Sequence, residues 1–375
     1  MDTRPLRGPV ETPDGLAVPG PHGVAADGRT PVTESGVYLV ESDGEALLID
    51  TGLRADPGGS PTLDAVEARI DGRALDLGTV LLTHYHYDHV GNAAALAERH
   101  DASVVCHPAD RPVVEEPELL ARRAYLESFG GDPERVASEL CLPGPEALVA
   151  DESVVASLYP GPAPVTHTVA DGETLDVGDR TVRVVHTPGH TPGHLAAFVP
   201  ESGSLYPADV GYWPTPLSPH PVGSAADQFE SLERCLALEA DYLFPGHGLA
   251  RCGAADARDY LLDALLRARQ LEERLLVLLS RHGPLTVPEL HRETFVLTSR
   301  HDVDVGGRYA SAQHCVHAHL RRLVEAGSVE RVDRDGTVAW RPTGEGRRPE
   351  DEVSVRGAPA PLALGDLRED RADRG

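Results

Sequence analysis

The sequence predicts an α/β domain followed by a smaller α+β domain. As far as about residue 250, short apolar runs rich in β-branched residues alternate with helical stretches, which is typical of an α/β fold. Beyond residue 254 long helical stretches precede a short two-stranded pattern, and 375 residues suffice for two domains. The predicted division is an N-terminal arm (1–30), a main domain (31–253), a C-terminal domain (254–345) and a disordered tail (346–375).

The main domain opens with a predicted hairpin, in which residues 36–40 and 46–49 flank the turn signal Ser42-Asp43-Gly44. Further strands are predicted at 79–82, 103–106 and 181–185, and helices at 61–70, 93–99 and 225–238. The arm and the tail are rich in proline, glycine and charge, so we expect both to pack loosely or to be disordered.

Residues 115–146 form an insertion that interrupts this rhythm. It contains two predicted helices, one over residues 116–129 and one that begins at Asp132 and Pro133. Such an insertion either roofs a site and sets its specificity or is a structural elaboration.

Residues 83–92 carry the pattern H-x-H-x-D-H, formed by His84, His86, Asp88 and His89. The segment lies between a predicted strand and a predicted helix, which places it on a loop at a sheet edge. His84 and His86 are two residues apart, which suits two ligands on one face of an extended segment. Imidazole nitrogen and carboxylate oxygen are the ligands expected for zinc and similar metals. A polar loop without a metal is the alternative, and four ligand-type residues at this spacing disfavour it.

This loop resembles the signature of the metallo-β-lactamase-fold hydrolases, and the chain looks similar to glyoxalase II and lactonases of that superfamily. Four further segments in matching order carry the resemblance: Leu48–Gly52, Thr187–His194, Tyr206–Asp209 and Phe244–Gly248. The resemblance spans residues 30 to 250 and implies the αββα sandwich of the superfamily.

The resemblance also implies a set of metal ligands. His84, His86 and His190 would hold one metal ion, Asp88, His89 and His247 would hold a second, and Asp209 would bridge them. Two zinc ions are expected, while manganese and iron stay open because every ligand is nitrogen or oxygen. A bridging hydroxide would attack a carbonyl or phosphoryl centre.

Other polar residues near these motifs are given narrower roles. Asp88 also lies close enough to orient the nucleophile or accept its proton. His194 and His107 are expected beside the ligands rather than among them. Tyr212 follows Asp209 by three residues, an offset at which acyl-homoserine lactonases of this superfamily carry a tyrosine that contacts the substrate carbonyl. Tyr212 is therefore a candidate for stabilising an oxyanion, with ordinary loop packing as the alternative.

The C-terminal domain is predicted to contain three helices and a hairpin. The helices are predicted over 254–280, from 286 and over 310–326, and the hairpin joins 329–332 to 337–340. This order resembles a winged helix, which follows the metal domain in one branch of the superfamily. That branch includes enzymes acting on small esters or thioesters and an endoribonuclease group.

The charge distribution disfavours nucleic acid as a partner. The chain carries a formal net charge of -26. Residues 1–254 contain 15 arginines and 39 acidic residues, and residues 255–345 contain 13 arginines and 14 acidic residues. Binding to a phosphate backbone needs a basic face, and by these counts neither domain has an excess of basic residues. A local patch of Arg308, Arg321 and Arg322 stays open. We expect residues 255–345 to pack against the metal domain, where they shape the site or form a homodimer interface.

The favoured function is hydrolysis of a carboxylic ester, thioester or lactone in a small-molecule acyl substrate. Hydrolysis of single-stranded RNA by an endoribonuclease is the alternative. A β-lactam is disfavoured because no export signal is evident and because β-lactamases of the superfamily usually lack an aspartate where Asp209 stands. A binding module without activity is disfavoured because the ligand set is complete.

The cysteines and the hydropathy pattern predict a cytoplasmic protein. The five cysteines are scattered and form no C-x-x-C pair, which favours free thiols in a reducing compartment. The N-terminus has no apolar signal segment, and no run of about 18 apolar residues occurs, so no membrane partner is expected.

Overall fold

The structure is a computed structural model. It describes residues 10–18, 22–24, 31–33, 35–53, 61–122, 127, 132–149, 152, 155–156, 159, 161–211, 223–295 and 308–344. In chain order the strands are β1 (Val10–Thr12), β2 (Gly15–Val18), β3 (His22–Val24), β4 (Pro31–Thr33), β5 (Val37–Ser42), β6 (Glu45–Ile49), β7 (Asp76–Leu81), β8 (Ser103–Cys106), β9 (Val165–Thr168), β10 (Thr174–Val177), β11 (Arg180–His186), β12 (Leu195–Val199), β13 (Ser204–Ala208), β14 (Tyr242–Pro245), β15 (Arg251–Cys252), β16 (Val329–Arg334) and β17 (Thr337–Pro342).

The helices come from the segments between these strands and from the C-terminal third of the chain. In chain order they are α1 (Pro61–Arg73), α2 (Tyr87–Val90), α3 (Ala93–His100), α4 (Arg111–Glu115), α5 (Pro133–Glu139), α6 (Ala225–Leu236), α7 (Ala254–His282), α8 (Val287–Phe295) and α9 (Arg308–Glu325). Short 3-10 helices span Pro117–Ala121 and Pro145–Leu148. None of the described helices is both long and apolar enough to cross a membrane.

Two sheets form the centre of the main domain. The first has the strand order β1-β2-β5-β6-β7-β8-β9, with β6 to β9 parallel to one another. The second has the order β10-β11-β12-β13-β14-β15, with β13 and β14 parallel. Because the carboxyl ends of parallel strands meet at one edge, the loops after β6, β7 and β8 are neighbours, as are those after β13 and β14.

Alternating side chains fill three apolar layers. Between the sheets, residues such as Val40, Ile49 and Val184 form one buried cluster. The opposite face of the first sheet packs against α1 and α3, and the opposite face of the second packs against α6 and α7. This is the predicted αββα sandwich.

The predicted arm is wrong for residues 10–18. Instead of packing loosely, they form β1 and β2, and β2 pairs with β5 at the edge of the first sheet. Asp14, between these strands, is buried and accepts a hydrogen bond from Tyr206 Oη at 2.8 Å, and it also pairs with Arg180. These contacts offset the weak β-propensity of the segment.

The predicted first helix of the insertion is also wrong over residues 116–122, although Glu127 further along has helical backbone. Residues 117–121 form a 3-10 turn, and it ends because Arg122 has extended backbone angles. Residues 123–126 and 128–131 lie outside the described residues. The second predicted helix is confirmed as α5, where the Asp132 side chain accepts from the Arg135 amide as an N-cap.

The C-terminal elements pack against the main domain, as predicted. Helix α7 has 29 residues and contacts both the main domain and the other C-terminal elements. Its first half, including Leu261 and Leu265, packs on the second sheet, while Leu275 and Leu279 pack with α8, α9 and the β16–β17 hairpin. The predicted helices and hairpin are therefore present, and the winged-helix resemblance stays an interpretation of their order.

Candidate metal centre

All the predicted ligands lie in the segments that follow strands at one edge of the sandwich. His84 and His86 lie on the loop after β7, whereas Asp88 and His89 lie in the short helix α2 and not on the predicted loop. Asp209 directly follows β13, and His247 follows β14. His190 lies on the loop between antiparallel β11 and β12. The backbone amide of Leu195 donates to the Thr83 carbonyl at 2.8 Å and joins the loops of the two sheets.

The first group of candidate ligands contains His84, His86, His190 and Asp209, all of them buried. Nδ1 of His86 lies 3.0 Å from His84 Nε2 and 2.9 Å from His190 Nε2. Nε2 of His190 is 3.2 Å from Asp209 Oδ2. One nitrogen or oxygen atom from each residue lies within 4.8 Å of the others, which is compact enough to surround one ion.

The second group contains Asp88, His89 and His247, which are also buried. Nε2 of His247 lies 3.4 Å from Asp88 Oδ2 and 3.5 Å from Asp209 Oδ2. Nε2 of His89 lies 3.4 Å from Asp209 Oδ1. The structure thus brings all seven predicted ligands together, with Asp209 next to both groups.

The donor set fits a metal ion better than a hydrogen-bonded cluster. His89 Nε2 and Asp209 Oδ1 are buried, and neither has a hydrogen-bond partner among the described residues. Burial raises the pKa of Asp209, but the positive charges of His247, His89 and His190, when these are protonated, outweigh it and hold the pKa well below its usual range. A bound metal ion would supply positive charge at the same place and leave these imidazoles neutral. Burial, together with the neighbouring His89 and His86, lowers the pKa of His84 and keeps its imidazole neutral, as a metal ligand must be.

Asp50 orients the candidate ligand His89. Its carboxylate accepts hydrogen bonds from the Thr83 amide and hydroxyl, both at 2.8 Å, and lies 2.7 Å from His89 Nδ1. Because Nδ1 is engaged, Nε2 is the nitrogen left to face the second group. Asp50 has a φ of 59°, a left-handed conformation that places its side chain behind the ligand loop. Asp50 lies in the segment Leu48–Gly52, which carries part of the family resemblance, but the sequence assigned it no role.

The backbone around Asp209 is also constrained. Ala208, which precedes it, has a φ of 46°. A Cβ atom at Gly246 would lie 2.4 Å from Asp209 Oδ1, so only glycine leaves room for the carboxylate there. His194 Nε2 accepts from the Asp209 amide at 3.2 Å, and its Nδ1 lies 2.9 Å from the Thr187 hydroxyl. His194 therefore holds the backbone of Asp209 and lies outside both ligand groups.

Two other residues considered from the sequence do not join the ligands. His107 is half-buried and stacks on His186 with the ring centroids 4.1 Å apart. Tyr212, the predicted oxyanion residue, lies outside the described residues. Sequence reasoning did not single out Asp110, whose buried carboxylate contacts two of the ligand loops.

The fold and the ligand set agree with the family to which the chain is matched. Residues 31–247 match the model of the metallo-beta-lactamase superfamily. The chain belongs to this superfamily. Its members are generally metal-dependent hydrolases, and the two ligand groups place this chain among them.

Individual members of the superfamily resemble the chain over most of its length. A hydroxyacylglutathione hydrolase of Xanthomonas euvesicatoria pv. vesicatoria is 28% identical over 303 residues, which are 76% of this chain and 91% of that protein. A metallo-β-lactamase family protein of Thermus thermophilus has a TM-score of 0.62 at 25% identity, over 91% of this chain and 98% of that one. A β-lactamase domain protein of Burkholderia ambifaria has a TM-score of 0.67 at 22% identity, over 91% and 96%, and shares the fold.

Proposed function

We propose that this protein is a dinuclear metal-dependent hydrolase of a carboxylic ester, thioester or lactone. The observation that carries the proposal is the position of Asp209, whose two oxygens lie 3.2 Å from His190 and 3.4 Å from His89, in different ligand groups. A carboxylate that faces two groups of ligands could bridge two metal ions in a two-metal hydrolase.

The roles of the residues follow from this arrangement. His84, His86 and His190 would hold one ion, Asp88, His89 and His247 the other, and Asp209 would be shared. When bound, zinc ions supply a water of lowered pKa, about 7, and polarise the substrate oxygen. The Asp88 carboxylate would orient that water and accept its proton through Oδ2, the atom 3.4 Å from His247. The site is lined by buried residues, which limits the access of bulk water to these charges.

Acyl substrates are favoured by similarity and by charge. One similar protein is named for hydrolysis of hydroxyacylglutathione, an acyl compound of glutathione. The strongly acidic main domain would repel a phosphate chain over roughly a Debye length, about 8 Å at physiological salt. We therefore keep a small-molecule acyl substrate as the proposal. The proposal also includes a cytoplasmic location and a homodimeric assembly.

The test is a panel assay with metal content measured on the same sample. Full-length protein loaded with zinc would be offered an S-acylglutathione, a lactone, a carboxylic ester and single-stranded RNA. We expect about two zinc ions per chain and turnover of at least one acyl substrate. The matched control is His190→Ala, which should bind only one zinc ion per chain and should lose the turnover. Cleavage of RNA with no acyl hydrolysis would replace the proposal by the endoribonuclease alternative.

A further inference from the structure

Asp110 joins the two loops that supply the first ligand group. It lies just after β8 at the start of α4, and its side chain is inaccessible to solvent. We propose that Asp110 is a positioning residue that sets the separation of His84, His86 and His190 and so controls affinity at the first metal position. The inference rests on the proposed two-metal function, and its test therefore measures metal binding separately from hydrolysis.

Three donors from the two loops converge on the Asp110 carboxylate. The Thr191 hydroxyl donates to Oδ2 at 2.7 Å, and the Gly193 amide donates to Oδ1 at 2.7 Å. The backbone amide of Tyr85 is the third donor. Tyr85 lies between His84 and His86 in the sequence, and Thr191 directly follows His190. A single carboxylate therefore fixes the chain next to all three histidines of the first group.

The carboxylate is itself held rigidly. The Asp110 carbonyl accepts the amides of Val113 and Val114, which ties the residue to the first turn of α4. A Cβ atom at Gly193 would lie 2.5 Å from Asp110 Oδ1, so the loop approaches the carboxylate as closely as glycine allows. Since both sides of the contact are constrained, this side chain fixes the spacing of the loops together with the backbone hydrogen bond from Leu195 to Thr83.

The second ligand group is held by other residues. The Ser35 hydroxyl donates to the Asp88 carbonyl, and Asp50 lies 2.7 Å from His89 Nδ1. None of the three donors to Asp110 is a residue of the second group or a sequence neighbour of His247. Loss of the Asp110 carboxylate should therefore weaken one metal position and spare the other, which a general loss of stability would not do.

The experiment measures stepwise zinc affinities of full-length variants by competition with a chromophoric chelator. Asp110→Ala should weaken the binding of one of the two zinc ions by about 10- to 100-fold, as expected when a side chain that orients ligands is removed. Asp110→Asn should recover most of this loss, because its amide oxygen accepts from a backbone amide and its NH2 group donates to the Thr191 hydroxyl. Thr191→Val removes only one donor and should give a smaller loss at the same position, which keeps the test available if Asp110→Ala does not fold.

Two ligand variants show which position is affected. In a His190→Ala background, where the first position is lost, Asp110→Ala should not change the remaining affinity. In a His247→Ala background, Asp110→Ala should weaken the affinity for the remaining zinc ion by the same 10- to 100-fold as in the otherwise wild-type chain. Glu139→Ala is the matched control, because Glu139 is an equally buried carboxylate whose partners, His317 and Arg331, lie in the C-terminal elements. It should leave both zinc affinities unchanged.

Equal weakening in both ligand backgrounds, or no change in either, would overturn the assignment of Asp110. A wild-type chain that binds two zinc ions but hydrolyses no acyl substrate would contradict the proposed function and leave the assignment standing. A wild-type chain that binds no zinc would overturn both.

Discussion

Asp209 Oδ1 lies 3.4 Å from His89 Nε2, and neither atom has a hydrogen-bond partner among the described residues. The other carboxylate oxygen lies 3.2 Å from His190 in the first ligand group. Burying two polar atoms without a partner costs free energy of folding unless a further group, such as a metal ion, lies between them. The carboxylate is therefore the element on which the two-metal proposal depends most.

Replacement of Asp209 by alanine should reduce kcat by about 100-fold or more, the scale of losing one preorganised electrostatic group. Metal content should fall below that of the wild type, because both groups lose a shared oxygen. The circular dichroism spectrum should stay unchanged, since the side chain lies at the edge of the sandwich rather than in its apolar layers. Glu230→Ala, an exposed acidic residue on α6, is the control and should keep its activity. Near-native turnover of Asp209→Ala with both ions bound would contradict the bridging role.

Removal of metal should destabilise the fold. The buried histidines and acids of the two groups face one another, and an ion bound only by the folded chain adds stability by mass action. At free zinc 100-fold above Kd, the gain is about 2.7 kcal/mol for one site. Calorimetry with and without a chelator should show a clearly lower Tm without metal. His190→Ala should show a smaller shift, and an identical Tm with and without chelator would argue against resident metal.

The ligands could be found from the sequence because each motif is local. His84, His86, Asp88 and His89 stand within six residues, and their types match metal chemistry without knowledge of the fold. Their contact with His190, which lies 104 residues beyond His86, was implied only by resemblance to a family. Spacing along the chain does not determine which loops from two different sheets meet.

Asp110 and Asp14 show what the sequence does not reveal. Asp110 stands in the segment Pro108-Ala109-Asp110-Arg111, which is an ordinary helix start, and its donors lie in loops far away in sequence. Asp14 lies among prolines and glycines that predict a loose arm, yet Tyr206, 192 residues away, donates to its carboxylate. Both roles arise from tertiary contacts that overrule the local pattern.

Glu139 should make stability depend on acid pH. Burial raises its pKa, but the hydrogen bonds and charges of His317 and Arg331 outweigh burial and hold the pKa below its ordinary value of 4.5. A lowered folded-state pKa means that the stabilisation is present above pH 4.5 and is lost as the pH falls through the folded-state value. Glu139→Gln should therefore be less stable than the wild type at pH 7, by about 1–3 kcal/mol.

Urea unfolding at several pH values would measure this dependence. The difference between wild type and Glu139→Gln should shrink as the pH falls below 4.5, because Glu139 is protonated first in the unfolded chain and then, below its lowered pKa, in the folded chain. Asp14→Asn is a useful comparison, since that buried acid joins β-strands rather than the C-terminal elements. A stability difference that stays constant from pH 7 into the acid range would show that the charge of Glu139 is not what joins α5 to α9.

The C-terminal elements should not bind nucleic acid. Arg322 is one of three arginines that would form a basic patch. Its guanidinium forms an ion pair with the Glu272 carboxylate at 2.6 Å, and its Cζ lies 4.3 Å from the centroid of the Phe229 ring. Its charge is thus neutralised by a buried carboxylate and its guanidinium covers the main domain, so it is not available to a phosphate chain. Fluorescence anisotropy with short RNA and DNA should show no salt-dependent binding near physiological salt. Binding that weakens with salt and is abolished when Arg308, Arg321 and Arg322 are replaced by glutamate would contradict this. In that case the C-terminal elements would deliver RNA to the metal centre, and the endoribonuclease alternative would take the place of acyl hydrolysis.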